Sequence, residues 1–157
     1  MPYSISVETP LQENVRALVA ALNEQLLSLT PREHCHHMSV EEMADTATTL
    51  FLAREDGRAV AMGALRRHRD GMAEVKRMYT LPSHQGRGIG KAILARIEHT
   101  AREEGFTRLV LETGNNFDAA LHVYKNAGFT PCAPVLDYPP SAWTAFYEKQ
   151  LKHEVAA

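Results

Sequence analysis

Two Asp-Gly dipeptides, Asp56-Gly57 and Asp70-Gly71, constrain the fold of this chain more than any other feature of its sequence. Asp-Gly between apolar segments is a strong signal for a tight hairpin turn, because both of its residues accept the positive φ that such a turn requires. The dipeptides separate three apolar segments, at residues 48–54, 58–67 and 72–81. The spacing therefore predicts three consecutive antiparallel strands.

Helix and strand patterns continue on both sides of this central unit. Residues 3–7 alternate like a strand, whereas residues 11–29 carry apolar side chains at the three- and four-residue spacing of an amphipathic helix. Ser39 followed by Glu42 resembles the capping box of a second, shorter helix. Downstream, the patterns predict a helix, a strand, a helix and two strands, over residues 89–104, 108–112, 115–126, 130–136 and 144–149. The expected fold is of the α/β (α+β) class, with a mixed and mostly antiparallel sheet of about seven strands flanked by about four helices.

Length, charge and cysteine content narrow the class of protein. The 157 residues are enough for one domain, and we expect a single domain over 1–157. The 17 basic and 19 acidic residues give a formal charge of -2, so no nucleic-acid partner is expected. No segment approaches the roughly 20 apolar residues of a membrane span, and the first residues lack the apolar core of a signal peptide. Cys35 and Cys132 lie far apart, which favours free thiols and a cytoplasmic location.

A glycine-rich segment, Gly86-Arg87-Gly88-Ile89-Gly90, precedes the predicted helix over 89–104. Glycine leaves the main-chain N–H groups accessible to a ligand, and the N-terminus of a helix presents unpaired N–H groups and a partial positive charge. An anion, often a phosphate, is the natural ligand of such a site.

Two common phosphate loops do not fit this segment. A Walker A loop needs Ser or Thr after Gly-Lys, but Ala92 follows Gly90-Lys91. A dinucleotide fingerprint needs G-x-G-x-x-G in a parallel βαβ unit, whereas this segment reads G-x-G-x-G and follows antiparallel strands.

The segment instead resembles the pyrophosphate loop of the GNAT superfamily, the acyl-CoA-dependent N-acetyltransferases. Residues 85–90 match the pattern [Q/R]-x-x-G-x-[G/A], and residues 120–129, ALHVYKNAGF, resemble the family segment A-x-x-x-Y-x-x-x-G-F. The order of predicted elements agrees with the family over nearly the whole chain. More narrowly, segments such as TPREHCHHM and EVKRMYT resemble small bacterial GNAT proteins of poorly defined substrate.

The resemblance implies acetyl-CoA as the cosubstrate and assigns residues to its binding. The backbone of Met78, Tyr79 and Thr80 would bind the pantetheine arm as an added strand, and an N–H near Met78 or Tyr79 would meet the thioester carbonyl oxygen. The strand over 108–112 would separate from the preceding one to open the cleft. The pyrophosphate would be wrapped by Gln85, Gly86, Arg87, Gly88, Ile89, Gly90 and Lys91.

One position departs from the family pattern. Many relatives carry an Asn seven residues before the helix tyrosine, where this chain has Phe117. Asn116 is close but out of register with that Asn, and it is the candidate for the same contact with CoA.

Two residues are candidates for proton transfer. Tyr124 occupies the position of the tyrosine that protonates the departing CoA thiolate in many relatives; the alternative is a buried Tyr in the core. Glu74 lies eleven residues before Gln85, where some relatives carry a general-base glutamate. Glu74, Lys76 and Arg77 also crowd a predicted central strand, on both of its faces, so that a structural ion pair is the alternative for Glu74.

Four residues are weaker candidates for contacts with the acceptor: His36, Arg77, Glu112 and Tyr138. His36 lies in a loop that drapes over the acceptor site in the superfamily, and it could take the role of base. The run His34-Cys35-His36-His37 lacks the spacing of a zinc site, so no metal is expected.

The sequence thus predicts an acetyl-CoA-dependent N-acetyltransferase that transfers the acetyl group directly to the primary amine of a small molecule. Lys76, Arg77 and the His36 loop suit an amine that carries a carboxylate. No membrane partner is expected, and a homodimer is left open. The alternatives are a non-catalytic acyl-CoA-binding GNAT module that regulates a partner, and a nucleotide-binding protein that uses the loop for another phosphate.

Overall fold

The described part of the chain contains seven strands in one sheet and four α-helices. The computed structural model describes residues 2–29, 38–114, 117–136, 138 and 142–151. The strands are β1 (Ser4–Val7), β2 (Thr48–Glu55), β3 (Arg58–Arg67), β4 (Met72–Thr80), β5 (Arg108–Gly114), β6 (Thr130–Cys132) and β7 (Thr144–Gln150). The helices are α1 (Glu13–Leu29), α2 (Val40–Met43), α3 (Ile89–Glu103) and α4 (Asp118–Asn126).

The sheet is mixed and mostly antiparallel, as the sequence predicts. Its strand order is β1-β2-β3-β4-β5-β7-β6, and among these described strands β4 and β5 pair in parallel while the other neighbours pair antiparallel. The β2–β3 turn has Asp56 and Gly57 at φ 50° and 79°, and the β3–β4 turn has Asp70 and Gly71 at φ 60° and 75°. Both Asp-Gly hairpins are therefore confirmed, with positive φ at both residues of each turn.

The helices pack on opposite faces of the sheet, which we call the α1 face and the α3 face. On the α1 face, the buried side chains of α1 and α2 share one cluster with Leu50, Leu52, Met62 and Ala64. The predicted capping box of α2 is present, since Ser39 Oγ accepts from the N–H of Glu42 while the Glu42 carboxylate accepts from the N–H of Ser39. On the α3 face, apolar residues of α3 and α4 pack over Ala73, Val75, Leu109 and Leu111.

Lys149 of β7 ties α4 to the rest of the α3 face. Its ammonium donates to the carbonyl of Ala127, just beyond the end of α4, at 2.7 Å and to Glu98 Oε1 of α3 at 2.7 Å. A cation at this position also interacts favourably with the negative end of the helix dipole. The contact holds α4 beside α3 and above the sheet.

Two predicted boundaries after β5 are wrong. The strand predicted over 130–136 ends at Cys132, because Pro134 has no N–H to donate and Leu136 has a left-handed φ of 58°. The helix predicted over 115–126 begins only at Asp118, since Phe117 has non-helical dihedral angles.

The expectation that Glu74, Lys76 and Arg77 occupy both faces of β4 is also wrong. The register between β3 and β4 shifts between Met62 and Ala64, so that β4 contains one extra residue, and Arg77 has a left-handed φ of 55°. This β-bulge turns Arg77 to the side of α1, where it contacts Asn23. All three charged residues therefore lie on the α1 face, whereas Val75 and Met78 pack on the α3 face.

None of the helices in the described ranges is both long and apolar enough to cross a membrane. The expectation of a single domain over 1–157 remains a prediction.

Candidate active site

The sheet opens between β4 and β5, which pair in parallel. The two strands pair over Met72–Glu74 and Arg108–Val110 and no further, although β4 continues to Thr80 and β5 to Gly114. Beyond this point β5 remains paired with β7, and β4 remains paired with β3. The edge of β4 over residues 75–80 therefore faces a cleft, and the predicted separation of the two strands is confirmed.

Three walls enclose most of this cleft, which has a volume of about 390 Å³, and Gln25 of α1 also contributes to its lining. Met78, Tyr79 and Thr80 of β4 form one wall, and the glycine-rich segment with the first turn of α3 forms a second. The third wall is formed by α4 and the residue that follows it, with these lining residues: Ala119, Ala120, His122, Val123, Tyr124, Asn126 and Ala127. A β-strand edge and a helix N-terminus thus meet in one concave site.

The N-terminus of α3 presents free backbone donors to the cleft. Gly88, in the N-cap position, has φ 81° and supplies no side-chain cap, and the Ala92 N–H makes the bond back to the Gly88 carbonyl. The N–H groups of Ile89, Gly90 and Lys91 precede this first helical bond, so they point out of the helix end. Gly86 has a similar φ of 79°. Glycine is favoured at both positions because this backbone conformation strains other residues.

The side chain of Arg87 contacts the end of β2. Its guanidinium donates to Glu55 Oε2 at 2.6 Å, and Glu55 also contacts His84 Nε2 at 3.3 Å. Its neighbours in the loop line the cleft, but Arg87 does not belong to that lining in the described part of the chain. The pair joins the loop to the β2–β3 hairpin, so that Arg87 positions the loop.

Tyr124 lies in the wall formed by α4 and is 6% exposed. Burial raises the pKa of its phenol well above the ordinary value. The ring packs against Phe129, with the centroids 6.0 Å apart. Tyr124 therefore retains its proton at neutral pH and can donate a hydrogen bond into the cleft.

Glu74 lies on the α1 face, where β4 and β5 stop pairing, and is 2% exposed. Its carboxylate contacts His68 Nε2 at 2.9 Å, accepts from the Tyr138 hydroxyl at 2.9 Å and lies 3.5 Å from Lys76 Nζ. Burial on its own would raise the pKa of Glu74, but the contacts with His68 and Tyr138 and the charge of Lys76 outweigh burial and hold the pKa below its ordinary value. Glu74 is thus an ionised, well-satisfied carboxylate.

Glu112 lies across the opening from Lys76. Because Glu74 is level with Val110 in the parallel pair, Lys76 is level with Glu112, two residues further along each strand. Burial raises the pKa of Glu112 to about 7, helped by the charge of Glu74 and opposed by that of Lys76. The two carboxylates on this face therefore have pKa values shifted in opposite directions.

The remaining sequence-based candidates fall into two groups. Tyr138 belongs to the Glu74 cluster, since Lys76 Nζ donates to its hydroxyl at 2.5 Å. Arg77 is buried at the bulge of β4. His36 and Asn116 lie outside the described residues.

Sequence reasoning missed several lining residues, among them Gln25, His84, His122 and Asn126. The residues of α4 could have been found from the 3.6-residue period, because Ala120, Val123 and Ala127 share a helix face with Tyr124. His84 precedes the loop pattern, which begins at Gln85, and Gln25 is distant in sequence, so neither carries a local signal. Over the described ranges, no three His, Cys, Asp or Glu side chains are grouped closely enough to hold a metal ion.

Comparison with known proteins relates the chain to acetyltransferases. Residues 15–129 match the acetyltransferase (GNAT) family. An IAA acetyltransferase of Azospirillum brasilense is 35% identical over 149 residues, which cover 94% of this chain and 97% of the relative. The uncharacterized N-acetyltransferase YsnE of Bacillus subtilis is 33% identical over 141 residues, which cover 87% of this chain and 93% of the relative.

Solved structures share the fold. A Klebsiella pneumoniae protein assigned to the acyl-CoA N-acyltransferases superposes with a TM-score of 0.81 at 29% identity, covering 96% of this chain and 98% of the other. The PaiA N-acetyltransferase of Thermoplasma acidophilum, solved in complex with coenzyme A, superposes with a TM-score of 0.75 at 16% identity, covering 96% and 99% of the two chains. At that identity, the second likeness concerns the fold alone.

The opposite pKa shifts of Glu112 and Glu74 predict opposite effects of pH on stability. The raised pKa of Glu112 means that its contribution to the free energy of unfolding is present below pH 4.5 and is lost as pH rises through about 7. Glu112→Gln should therefore gain stability relative to the parent protein between pH 5 and pH 8, as measured by urea unfolding. Glu74→Gln is the matched control. Because the pKa of Glu74 is lowered, its contribution to the free energy of unfolding is present above pH 4.5, so Glu74→Gln should be less stable than the parent protein at pH 8. If the free energies of unfolding of Glu112→Gln and the parent protein differ by the same amount at every pH, the raised pKa of Glu112 is contradicted.

Proposed function

Because the chain belongs to the GNAT acetyltransferase family, we propose that it transfers an acetyl group from acetyl-CoA to the primary amine of a small molecule. The observation that carries this proposal is the cleft, in which the β4 edge, the uncapped end of α3 and Tyr124 meet. The family binds acetyl-CoA or CoA, and the relatives of this chain are named as N-acetyltransferases. One of them is named for IAA, which makes IAA a compound to include in substrate tests.

The cleft offers each part of acetyl-CoA a complementary surface. The N–H groups at the start of α3 and the ammonium of Lys91 suit the pyrophosphate. The edge of β4 at Met78–Thr80 suits the pantetheine amides, which can pair with it like an added strand. A main-chain N–H at Met78 or Tyr79 would then meet the thioester oxygen and stabilise the charge that develops there.

Tyr124 is proposed to act on the leaving group. Its phenol remains protonated over the working pH range because burial raises its pKa, so it can always donate a hydrogen bond to the sulfur. Full proton transfer to the thiolate is uphill from such a phenol, and it requires the close approach and the exclusion of water that this wall of the cleft provides.

Glu112 is proposed as the base that takes the proton from the acceptor ammonium. A base works best when its pKa is close to the working pH, and the pKa of about 7 for Glu112 meets this condition. Glu74, the sequence-based candidate, has a lowered pKa and is occupied by His68 and Tyr138. Two carboxylates whose environments shift their pKa values in opposite directions mark separate roles. Glu74 would then position Lys76 and Tyr138 beside the acceptor.

Direct transfer in a ternary complex is tested by mixing the protein with acetyl-CoA and a panel of primary amines and following the release of free thiol. We expect release that depends on the amine and an acetylated amine in the product. Tight binding of acetyl-CoA without amine-dependent release over a broad panel would contradict the proposed activity.

The exposed backbone of the loop predicts a specific loss of acetyl-CoA binding in Gly88→Ala. An added Cβ at Gly88 meets no protein atom within 4 Å, so it would project into the space where the pyrophosphate is proposed to bind. Gly105→Ala is the matched control, because Gly105 also has a positive φ, of 90°, and open space around an added Cβ, but it follows α3 at the opposite end. Both variants should lose about 1 kcal/mol of stability. Only Gly88→Ala should weaken acetyl-CoA binding by calorimetry; equal affinities in the two variants would exclude the loop as the pyrophosphate site.

The choice of base predicts different kinetics for two isosteric variants. In the parent protein, kcat/KM should rise with pH through about 7, the pKa of Glu112. Glu112→Gln should lower kcat by roughly 10²- to 10⁴-fold near neutral pH, with partial recovery at high pH where the amine loses its proton unaided. Glu74→Gln should retain the pH profile and change mainly KM. If Glu74→Gln shows the large loss in kcat and Glu112→Gln does not, Glu74 is the base.

A further inference from the structure

Arg77 is a buried cation at the bulge of the central strand. The residue is 8% exposed and has a left-handed φ of 55°, which is costly for a residue with a long side chain. The conformation directs the guanidinium to the α1 face, where Nη2 donates to Oδ1 of Asn23 in α1. Backbone strain of this kind persists only where the surrounding structure requires it, and it concentrates at functional sites.

The guanidinium has no acidic partner among the described residues. Asn23 is its hydrogen-bond acceptor there, and Nε is buried without one. Other arginines of the chain behave differently: Arg54 pairs with Glu8 at 2.8 Å and Arg67 with Glu104 at 2.6 Å, although both are more exposed. Burial alone lowers the pKa of Arg77 to about 10, which leaves the group charged at neutral pH. A buried charge without a counter-ion is unfavourable unless a ligand supplies one.

Arg77 lies in the part of β4 that continues beyond its pairing with β5, beside the gap between the two strands. It immediately precedes Met78, the first of the β4 residues in the lining, and its partner Asn23 lies two residues before Gln25, which also lines the cleft. Lys76, its neighbour, is already engaged by Tyr138 and Glu74. Of these two neighbouring cations on β4, the guanidinium of Arg77 is therefore the one available to bind an anion.

We propose that Arg77 binds a carboxylate of the acceptor, so that the substrate is a small amine that also carries a carboxylate. A guanidinium presents two parallel N–H donors to a carboxylate, and Nε together with one terminal nitrogen forms such a pair. The acceptor then meets a cation at one end and the carboxylate of Glu112 at its ammonium end. This inference rests on the proposed acetyltransferase activity, and it specifies the substrate class of the same site.

Matched pairs of amines test the inference, each pair being an amino acid and its primary amide, with thiol release from acetyl-CoA as the readout. The parent protein should favour the carboxylate of each accepted pair by at least tenfold in kcat/KM. Arg77→Met should remove this preference by raising the KM for the amino acid, whereas the amide should react at a nearly unchanged rate. Arg102→Met, on α3 and on the opposite face, is the control and should keep the preference.

A stability measurement separates ligand binding from a structural role. Since the charge of Arg77 is buried without a counter-ion in the free protein, Arg77→Met should unfold at an equal or higher urea concentration than the parent. Lower stability of Arg77→Met together with an unchanged preference would show that Arg77 is structural and would overturn the inference. Arg77→Lys, which retains the charge but not the planar pair of donors, should keep only part of the preference.

The outcomes distinguish this inference from the proposed function. If amines are acetylated but carboxylates and amides react equally in the parent protein, the acetyltransferase activity stands and the role of Arg77 is excluded. If no amine of either kind releases thiol, the proposed function fails, and this inference fails with it. Calorimetry with N-acetyl amino acids and CoA gives a readout without turnover: binding that is lost in Arg77→Met supports the inference, and equal binding by both proteins contradicts it.

Discussion

The point at which β4 and β5 stop pairing determines the rest of the site. Each strand has a better partner on its other side, since β3 follows β4 through its bulge to Thr80 and β5 pairs with β7 to its end at Gly114. The parallel contact is therefore limited to three residues of each strand. Beyond it, the main chain of β4 is open to a ligand, and the helices that follow β4 and β5 flank the opening. The cleft on the α3 face and the charged cluster on the α1 face meet at this gap.

The charged residues around the gap differ in their charge and in their pKa shifts, and these differences indicate different roles. The buried carboxylate of Glu74 is held ionised by three neighbours, whereas that of Glu112 is desolvated and titrates near neutral pH. Arg77 contributes the opposite charge without a counter-ion among the described residues. An acceptor with an ammonium and a carboxylate would complement this arrangement, and the uncapped end of α3 would hold the phosphates on the other side of the sheet.

Local patterns in the sequence predict most of the fold. The Asp-Gly turns and the capping box are interactions between residues close in sequence, and both are confirmed. The bulge at Arg77 could not be predicted, because it depends on the pairing of β4 with β3. For the same reason, the alternation of β4 wrongly predicts charges on both faces. The strand after α4 is shorter than predicted because Pro134 and the left-handed φ of Leu136 end it. The residues of the glycine loop follow from a motif, whereas the contrast between Glu74 and Glu112 depends on contacts between distant strands.

Hydrogen exchange of the backbone amides tests the central claim most directly, that the gap between β4 and β5 receives the acyl-CoA. The protein is compared alone, with acetyl-CoA and with ATP. Acetyl-CoA should slow exchange at residues 78–80 and 86–91, with β1 and β2 unchanged, because its amides and phosphates cover the β4 edge and the N–H groups at the start of α3. ATP has no pantetheine arm and should leave residues 78–80 unprotected. Protection by acetyl-CoA elsewhere, or at 86–91 alone and equally with ATP, would contradict the account.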